Sequence, residues 1–207
     1  MDRLIKKLKF SYTVELISGL HIGGSSDNVE IGGIDCPVIK LATRNNQPYI
    51  PGSSIKGKMR CILEQLKGTE SDKEINLLFG STKDNPSSTR LIVRDAYLTE
   101  DSLRLLSNND DLALPYTEIK SENKIDRIKG TASDPRQIER VPAGVEFQAE
   151  FIINIWESDD EKSLVNLLEK GIHAIENDYL GGSGSRGYGQ VKFKEQGKTE
   201  VITFDNL

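Results

Sequence analysis

The sequence predicts an α+β fold in which two helices cover one face of an antiparallel sheet. Apolar and polar side chains alternate over residues 8–17, 145–156 and 188–194, as half-buried strands require. Two longer segments, 53–67 and 159–179, instead repeat apolar side chains at helical spacing. Strands and helices therefore follow one another along a single chain.

The first helix is predicted to begin soon after the first insertion. Ser53 or Ser54 is predicted to cap its N-terminus, and it ends near Lys67. A short further helix is predicted to start at Ser71, because Ser71 and Glu74 have the spacing of a capping box.

A strand is predicted at residues 89–98, and Gly181 is predicted to end the last helix in a C-cap position. The order strand, helix, strand, strand, helix, strand is typical of a ferredoxin-like or RRM-like core. We therefore predict a single domain over residues 1–207, with insertions at about 20–52 and 103–144. Long insertions are usually functional or disordered, and the fold alone does not decide the function.

The composition is that of a globular protein. Hydrophobic residues make up 36% and charged residues 29% of the 207 positions. No apolar run approaches the roughly 20 residues of a membrane span, and the start MDRLIKKLKF lacks the apolar core of a signal peptide. We expect a cytoplasmic protein that contacts no membrane. Cys36 and Cys61 have no metal-ligand spacing and are expected to be free thiols.

The net charge of −5 is distributed unevenly. Residues 146–178 contain nine acidic residues and two lysines, so the rest of the chain is slightly positive. Because the local electric field matters more than the total charge, the negative net charge does not exclude a basic face that binds a polyanion. A well-solvated acidic helix is the alternative interpretation.

The segment PGSSIKGKMR, residues 51–60, has the GxxxxGK spacing of a phosphate-binding loop. Met59, however, stands where that loop needs Ser or Thr to bind magnesium, which disfavours nucleotide hydrolysis. A helix N-terminus flanked by Lys56, Lys58 and Arg60 still attracts phosphate groups. A capped helix with a solvated basic side is the alternative.

The glycine loop, LGGSGSRGYGQVKF at residues 180–193, has five glycines between Gly181 and Gly189. A helix terminator and a tight turn would need only one or two of them. With Arg186 at its centre, the loop is predicted to let a phosphate backbone lie against main-chain N–H groups without obstruction by Cβ atoms.

The segment at residues 120–140 contains six basic and four acidic residues, with Gly130 and Pro135 interrupting any long helix. It predicts a basic hairpin or arm, and a disordered loop is the alternative. Asp35 lies between glycines and a proline in the first insertion. One carboxylate binds a divalent ion weakly and cannot alone form a two-metal site, and most lone loop aspartates form turns.

Five segments together carry a resemblance to one family: GLHIGG (19–24), GGIDCPVI (32–39), IPGSSIKGKMR (50–60), DPRQIERV (134–141) and NDYLGGSGSRGYGQVKF (177–193). They resemble the repeated backbone subunit of the type III-A CRISPR effector, the Csm complex, in the RAMP superfamily. The resemblance covers nearly the whole chain. The glycine loop alone indicates only the superfamily, whereas the combination of segments is specific.

The resemblance implies that several copies stack along a CRISPR guide RNA, each with a palm on the RRM-like core and a thumb hairpin that kinks the guide. It further implies that each copy cleaves complementary target RNA as a metal-dependent endoribonuclease. Asp35 is the implied catalytic and metal-binding residue, and the metal is expected to be Mg²⁺. The other expected partners are further type III-A subunits, including the large Cas10-type subunit.

Contact with RNA is predicted at the first histidine, at the start of the first helix, in the thumb and in the glycine loop. These residues are His21, Ser53, Ser54, Lys56, Lys58, Arg60, Arg136, Arg140, Gly182 and Arg186. No aromatic signature for base stacking is evident at the predicted strands, so recognition of the RNA backbone is expected.

Three other functions remain open. A purely architectural guide-binding scaffold would lack catalysis, a stand-alone CRISPR RNA-processing nuclease would use His21 as its general base, and a nucleotide-binding switch would use Gly52 to Lys58. In the preferred hypothesis, a nucleotide flipped out by the thumb attacks its own phosphate in line through its 2′-hydroxyl. Asp35 and a metal then assist proton transfer or charge stabilisation.

Overall fold

The computed structural model describes residues 2–24, 36–81 and 88–204. In chain order, the strands and α-helices of this part are β1 (Leu4–Leu16), β2 (Lys40–Leu41), β3 (Gln47–Ile50), α1 (Gly52–Lys67), α2 (Lys73–Phe79), β4 (Leu91–Val93), β5 (Ala96–Leu98), α3 (Glu100–Ser107), β6 (Glu118–Ile125), β7 (Ala132–Arg140), β8 (Glu146–Trp156), α4 (Glu161–Glu176), β9 (Val191–Glu195) and β10 (Glu200–Thr203). None of these helices is long and apolar enough to cross a membrane.

The central sheet has the strand order of a ferredoxin-like core. β1 pairs antiparallel with β8 on one side and with β9 on the other, and β4 and β5 pair with the far edge of β8. α1 and α4 pack beside each other and against the sheet. The predicted α+β fold class, with an antiparallel sheet and helices packed on it, is confirmed. β10 extends the sheet beside β1, and β3 and β2 extend it beyond β5.

The core lies between the sheet and these two helices. Alternate side chains of β1 and β8 point into it, which is the pattern that the sequence shows. Some of its most deeply buried members are Val14, Ile55, Met59, Phe147, Phe151, Ile153 and Leu168. The helices approach most closely at Gly171 of α4, where an added Cβ would lie 2.4 Å from Cγ of Met59.

Two predicted N-caps are wrong, those of α1 and α2. Pro51 is the N-cap of α1, and Ser53 and Ser54 lie inside its first turn without capping it. The N–H of Gly52 donates to Oδ1 of Asp95 at 2.8 Å, so a side chain from another part of the sequence occupies this helix end. Local spacing could not reveal that contact.

The start of α2 is displaced in the same way. Asp72, not Ser71, is its N-cap, and the Asp72 carboxylate accepts from the N–H groups of Glu74 and Ile75 at 3.0 and 3.1 Å. A carboxylate at a helix N-terminus also complements the helix dipole, which favours Asp72 over the neighbouring hydroxyl.

Two further element boundaries differ from prediction. The strand predicted at 89–98 is divided into β4 and β5, which pair with successive parts of β8. Val93 is paired with Phe151 and Tyr97 with Gln148, so the chain has one extra residue between the two strands relative to β8. α4 ends at Glu176 with Asn177 as its C-cap, so the assignment of Gly181 to that cap is wrong. Gly181 has a φ of +76°, and an added Cβ would lie 2.4 Å from the carbonyl oxygen of His21.

The predicted basic hairpin is present. β6 and β7 form a two-stranded antiparallel sheet that is separate from the main sheet. In the first insertion, Leu20 bridges to Val141 and Gly23 bridges to Val38. Asp35 lies outside the described residues.

Glu139, near the end of β7, ties the two insertions together. Its side chain is 1% exposed. Oε2 accepts from the N–H of Val38 at 2.9 Å, and Oε1 accepts from the Thr117 hydroxyl at 2.5 Å and pairs with Lys40 Nζ at 2.5 Å. A buried carboxylate needs such donors to offset its lost hydration. Glu139 therefore fixes the hairpin against the chain that leads into β2.

Replacing Glu139 by alanine is expected to lower the free energy of unfolding by about 3 kcal/mol, because partners of a buried ion pair lose their acceptor. Urea unfolding followed by circular dichroism measures this loss. Glu150→Ala is the matched control, since Glu150 pairs with Lys9 at the surface at 3.7 Å and should contribute less than about 1 kcal/mol. Equal losses in the two variants would contradict the role given to Glu139.

Candidate functional site

The structure divides the predicted RNA-contact residues between two regions. One region, here called the thumb base, is where β6 and β7 meet the glycine loop and the segment around His21. It contains His21, Arg136, Arg140, Gly182 and Arg186. The second region is α1, which carries the serines and the remaining basic residues.

His21 lies between β7 and the glycine loop. Its ring Nδ1 is 2.7 Å from the carbonyl oxygen of Glu139, and its own carbonyl oxygen accepts from the N–H of Gly182 at 2.8 Å. A carbonyl oxygen can only accept, so Nδ1 carries the proton in this hydrogen bond. In the neutral ring, Nε2 therefore presents a lone pair that can accept a hydrogen bond.

Tyr188, in the glycine loop between Gly187 and Gly189, joins that loop to the hairpin. Its hydroxyl donates to Oε1 of Glu122 at 2.8 Å, and its ring is 1% exposed. Lys120 Nζ lies 4.3 Å and Arg140 Cζ 5.2 Å from the ring centroid. Arg140 is also held by Oε1 of Glu118, 2.5 Å from its Nε.

Electrostatics keep this contact in one protonation state at neutral pH. Burial, followed by the hydrogen bond to Glu122, raises the pKa of Tyr188 to about 12, so its hydroxyl remains a donor. The bond from Tyr188, with the charge of Arg186, lowers the pKa of Glu122 below its ordinary value of 4.5. The stabilisation by ionised Glu122 is therefore present above about pH 4.5 and is lost as the pH falls through the lowered pKa.

A cavity of about 320 Å³ opens between the hairpin and the glycine loop. It is lined by Arg136, Arg186, Lys124, Asn123 and Glu122. Glu122 lies opposite Arg136 across the hairpin, and its Oε2 is 3.6 Å from Nη1 of Arg186. Three cations face one carboxylate, so the cavity has the size and charge to accept an anionic group such as a phosphate.

The glycines of the loop are required mainly by packing within the chain. An added Cβ would lie 1.9 Å from the ring of Tyr179 at Gly184, and 1.9 Å from the carbonyl oxygen of Leu180 at Gly189. Several N–H groups of the loop already donate within the chain, namely those of Gly182, Arg186, Gly187 and Gly189. The expectation that these N–H groups are free for a phosphate backbone is therefore wrong for these four residues.

Two of the basic residues of α1 are bonded to neighbouring elements. Nζ of Lys56 donates to the Thr89 hydroxyl and to the Leu91 carbonyl, both at 2.7 Å. Burial, with a smaller effect of the Arg60 charge, lowers the pKa of Lys56. Arg60 donates to Glu64, to the carbonyl of Gly80 and to Asn76. The sequence predicted that the cations at the start of α1 attract phosphate groups, but residues of α2, of β4 and of the segments next to them already hold Lys56 and Arg60.

Lys58 lies apart from that flank, beside the glycine loop. Its Nζ is 2.8 Å from Oδ2 of Asp178 and 3.6 Å from the centroid of the Tyr179 ring. Ser53 is exposed and Ser54 is half-buried in the first turn of α1. Contact of these α1 residues with RNA stays a prediction.

The predicted catalytic and metal-binding residue, Asp35, is outside the described residues and directly precedes Cys36. Among residues 2–24, 36–81 and 88–204, no group of three His, Cys, Asp or Glu side chains could hold a metal ion. Cys36, which follows Asp35, is anchored by its carbonyl, which accepts from the N–H of Glu139 at 3.1 Å. The residue that directly follows Asp35 is therefore hydrogen-bonded to β7, at the same residue that contacts His21.

Sequence reasoning missed the two carboxylates that organise this region. Glu122 and Glu139 occur in a segment noted only for its charge, and Tyr188 occurs in a motif noted only for its glycines. Their partners are distant in sequence, so no local spacing identifies them. The alternation of acidic with basic residues in the hairpin was the available signal.

Comparison with known proteins is consistent with this architecture. A model of the RAMP superfamily matches residues 13–192. "CRISPR system Cms endoribonuclease Csm3" of Streptococcus thermophilus is 43% identical, covering 95% of this chain and 91% of that protein. The protein of the same name from Methanocaldococcus jannaschii is 42% identical, covering 88% and 76%.

A solved structure also matches. The crystal structure of the Csm3–Csm4 subcomplex in the type III-A CRISPR-Cas interference complex contains a chain with a TM-score of 0.57 and 27% identity, covering 96% of this chain and 79% of that chain. The chain therefore belongs to the RAMP superfamily and, within it, to the Csm3 family. The family expected from the sequence motifs is confirmed.

Replacing Tyr188 by phenylalanine is expected to speed amide hydrogen exchange in β6 and β7 roughly tenfold, because a hydrogen bond to a charged group is lost. Hydrogen exchange followed by mass spectrometry measures it. Tyr12→Phe is the control, since it removes a hydroxyl from β1, which does not belong to the hairpin. Unchanged exchange in Tyr188→Phe would show that the bond to Glu122 does not hold the hairpin.

Proposed function

We propose that this chain is a guide-RNA-binding backbone subunit of a type III-A CRISPR effector, and that it cleaves complementary target RNA as an endoribonuclease. Membership of the Csm3 family supports the activity, because the relatives are named endoribonucleases. The similar chain in the Csm3–Csm4 subcomplex of a type III-A interference complex supports assembly with other subunits.

The cavity at the thumb base is the observation that carries RNA binding. Arg136 comes from β7 and Arg186 from the glycine loop, yet both line one space of about 320 Å³. The ion pair between Arg186 and Glu122 holds that guanidinium group in place, so little of its side-chain freedom is lost when a phosphate enters. Contact with phosphate instead of base edges suits guides of any sequence.

Catalysis is proposed for Asp35. A ribonucleotide held with its 2′-hydroxyl in line with the adjacent phosphate needs mainly correct positioning, which can supply a large part of the rate enhancement. Asp35 would assist the proton transfer. A divalent metal, proposed to be Mg²⁺, would supply charge stabilisation, and a carboxylate oxygen is a ligand that Mg²⁺ prefers.

Assembly with further copies of the chain and with a large Cas10-type subunit is also part of the proposal. The uneven charge supports it, because the stretch at 146–178 is acidic in sequence whereas arginines gather at the thumb base, and opposite charges on two copies attract. A head-to-tail contact between unlike surfaces repeats along a filament.

Target cleavage tests the proposed function directly. The chain is assembled with its partner subunits and a guide, and cuts in complementary RNA are mapped with and without chelator. Asp35→Ala is expected to leave guide binding intact and to abolish cleavage, and chelator is expected to abolish cleavage by the unchanged chain. Unchanged cleavage by Asp35→Ala would refute its catalytic role, and absence of cleavage in the unchanged assembly would favour an architectural scaffold.

Replacing Arg136 and Arg186 by alanine is expected to weaken binding of guide RNA and to lower the slope of log affinity against log salt by roughly 0.7 per arginine. Fluorescence anisotropy at several salt concentrations measures both quantities. Arg104→Ala is the matched control, because Arg104 is an exposed cation on α3, paired with Asp101. An unchanged slope in the double variant would show that the cavity binds no phosphate.

A further inference from the structure

Two tyrosines that are distant in sequence stand side by side on the sheet. Tyr49 in β3 is paired with Tyr97 in β5, with ring centroids 6.2 Å apart and ring planes inclined by 32°. The next cross-strand pair, Ile50 and Ala96, is fully buried. Because side chains alternate between the faces of a strand, both tyrosine rings project from the face opposite to the buried core.

An arginine completes this surface. The Arg44 guanidinium carbon lies 4.0 Å from the centroid of the Tyr97 ring. Arg44 is exposed, and both tyrosines are only half-buried. Among the described residues, no carboxylate forms an ion pair with Arg44. Within that part of the chain, the charge of Arg44 is therefore not neutralised by a carboxylate.

The surface continues across the sheet. Gln148 in β8 is paired with Tyr97 and is exposed, so its amide lies beside the ring at the usual cross-strand separation. An aromatic plane, a stacked cation and an amide thus adjoin one another. These are the groups that bind a nucleobase, by stacking on its face and by hydrogen bonding to its edge.

We propose that Arg44, Tyr49 and Tyr97 form a stacking site for an unpaired nucleobase of RNA. This inference rests on the proposed function, since RNA must already cross the molecule. It adds a base contact to the backbone recognition expected from the sequence. Stacking requires only the face that all bases share, so the site is compatible with any guide or target sequence.

The position of the site relative to the thumb base supports this proposal. The 3₁₀ turn that carries Arg44, Ala42–Arg44, directly follows β2. β2 begins at Lys40, whose Nζ pairs with Glu139 at 2.5 Å. Residues 40–44 therefore connect Glu139, at the thumb base, to the stacking surface. The two surfaces are thus close enough for one RNA strand to reach both.

The test measures binding of a short, fluorescein-labelled, single-stranded RNA to the full chain. Tyr97→Leu removes the aromatic plane, and affinity is expected to fall roughly 5- to 100-fold, the range that loss of base stacking produces. Tyr97→Phe keeps the plane and should bind within about twofold of the unchanged chain. Neither variant removes a phosphate contact, so the salt slope should not change.

An RNA of abasic riboses separates stacking from backbone contact. The unchanged chain should bind the abasic RNA more weakly than the normal RNA, whereas Tyr97→Leu should bind both equally. Arg44→Lys keeps the charge but loses the planar group, and should also weaken binding to the normal RNA only. This variant carries the test if thermal unfolding shows that Tyr97→Leu is not folded.

The outcomes distinguish this inference from the proposed function. If Arg136→Ala and Arg186→Ala lower the salt slope while Tyr97→Leu and Arg44→Lys bind like the unchanged chain, the stacking site is refuted and the proposed function stands. If Tyr97→Leu alters the sedimentation of copies of the chain without altering RNA affinity, the surface is a protein interface and the inference is wrong. If the unchanged chain and its assembly bind no RNA, both fail.

Discussion

The thumb base depends on a carboxylate that is buried at the point where three segments meet. The buried carboxylate of Glu139 requires donors around it, because removing a carboxylate from water costs several kcal/mol that only well-placed partners offset. Those donors come from Thr117, which precedes β6 in the sequence, and from Val38 and Lys40, which follow Asp35 in the sequence. The hairpin and the end of the first insertion must therefore adopt their positions together. The main chain of the same residue holds the ring of His21 and the carbonyl of Cys36.

A second carboxylate, Glu122, orients one of the arginines of the cavity, Arg186. Glu122 accepts a hydrogen bond from Tyr188 and lies near Arg186, so it connects the hairpin to the glycine loop while balancing part of the positive charge. A phosphate that enters the cavity must compete with Glu122 for Arg186. Such competition lowers the affinity for a single phosphate, yet it keeps the guanidinium oriented in the free protein. Binding is then strong only for a polyanion that makes several contacts at once.

Local periodicity in the sequence was sufficient for the fold but not for the site. The alternation in β1 and β8 and the apolar spacing of α1 and α4 predict the right elements because each pattern reflects burial against one common core. Lys56 and Arg60 are four residues apart, so helical spacing places them on one flank of α1. That spacing could not show that Thr89, Leu91 and Gly80 would occupy the flank. The N-cap prediction for α1 was wrong for a related reason, since Asp95 reaches Gly52 from the segment between β4 and β5. Tyr49 and Tyr97 were not recognised as a pair because only the strand register brings them together.

Recognition of RNA without regard to sequence can use only the features that all nucleotides share, which are the phosphate charge and the π face of the base. Under the two proposals above, the described part of this chain has a separate surface for each. The cationic cavity lies between the hairpin and the glycine loop, and the tyrosine pair lies toward the edge of the sheet, beside the segment that Glu139 anchors. A strand held only by its phosphates could slide, since every phosphate is equivalent to the next. A base stacked at the site of Arg44, Tyr49 and Tyr97 would have to unstack before the strand could move by one nucleotide, which would slow such sliding. Under the proposed function, the two surfaces together would set the register of the strand relative to Asp35, which in-line cleavage at a defined phosphate requires.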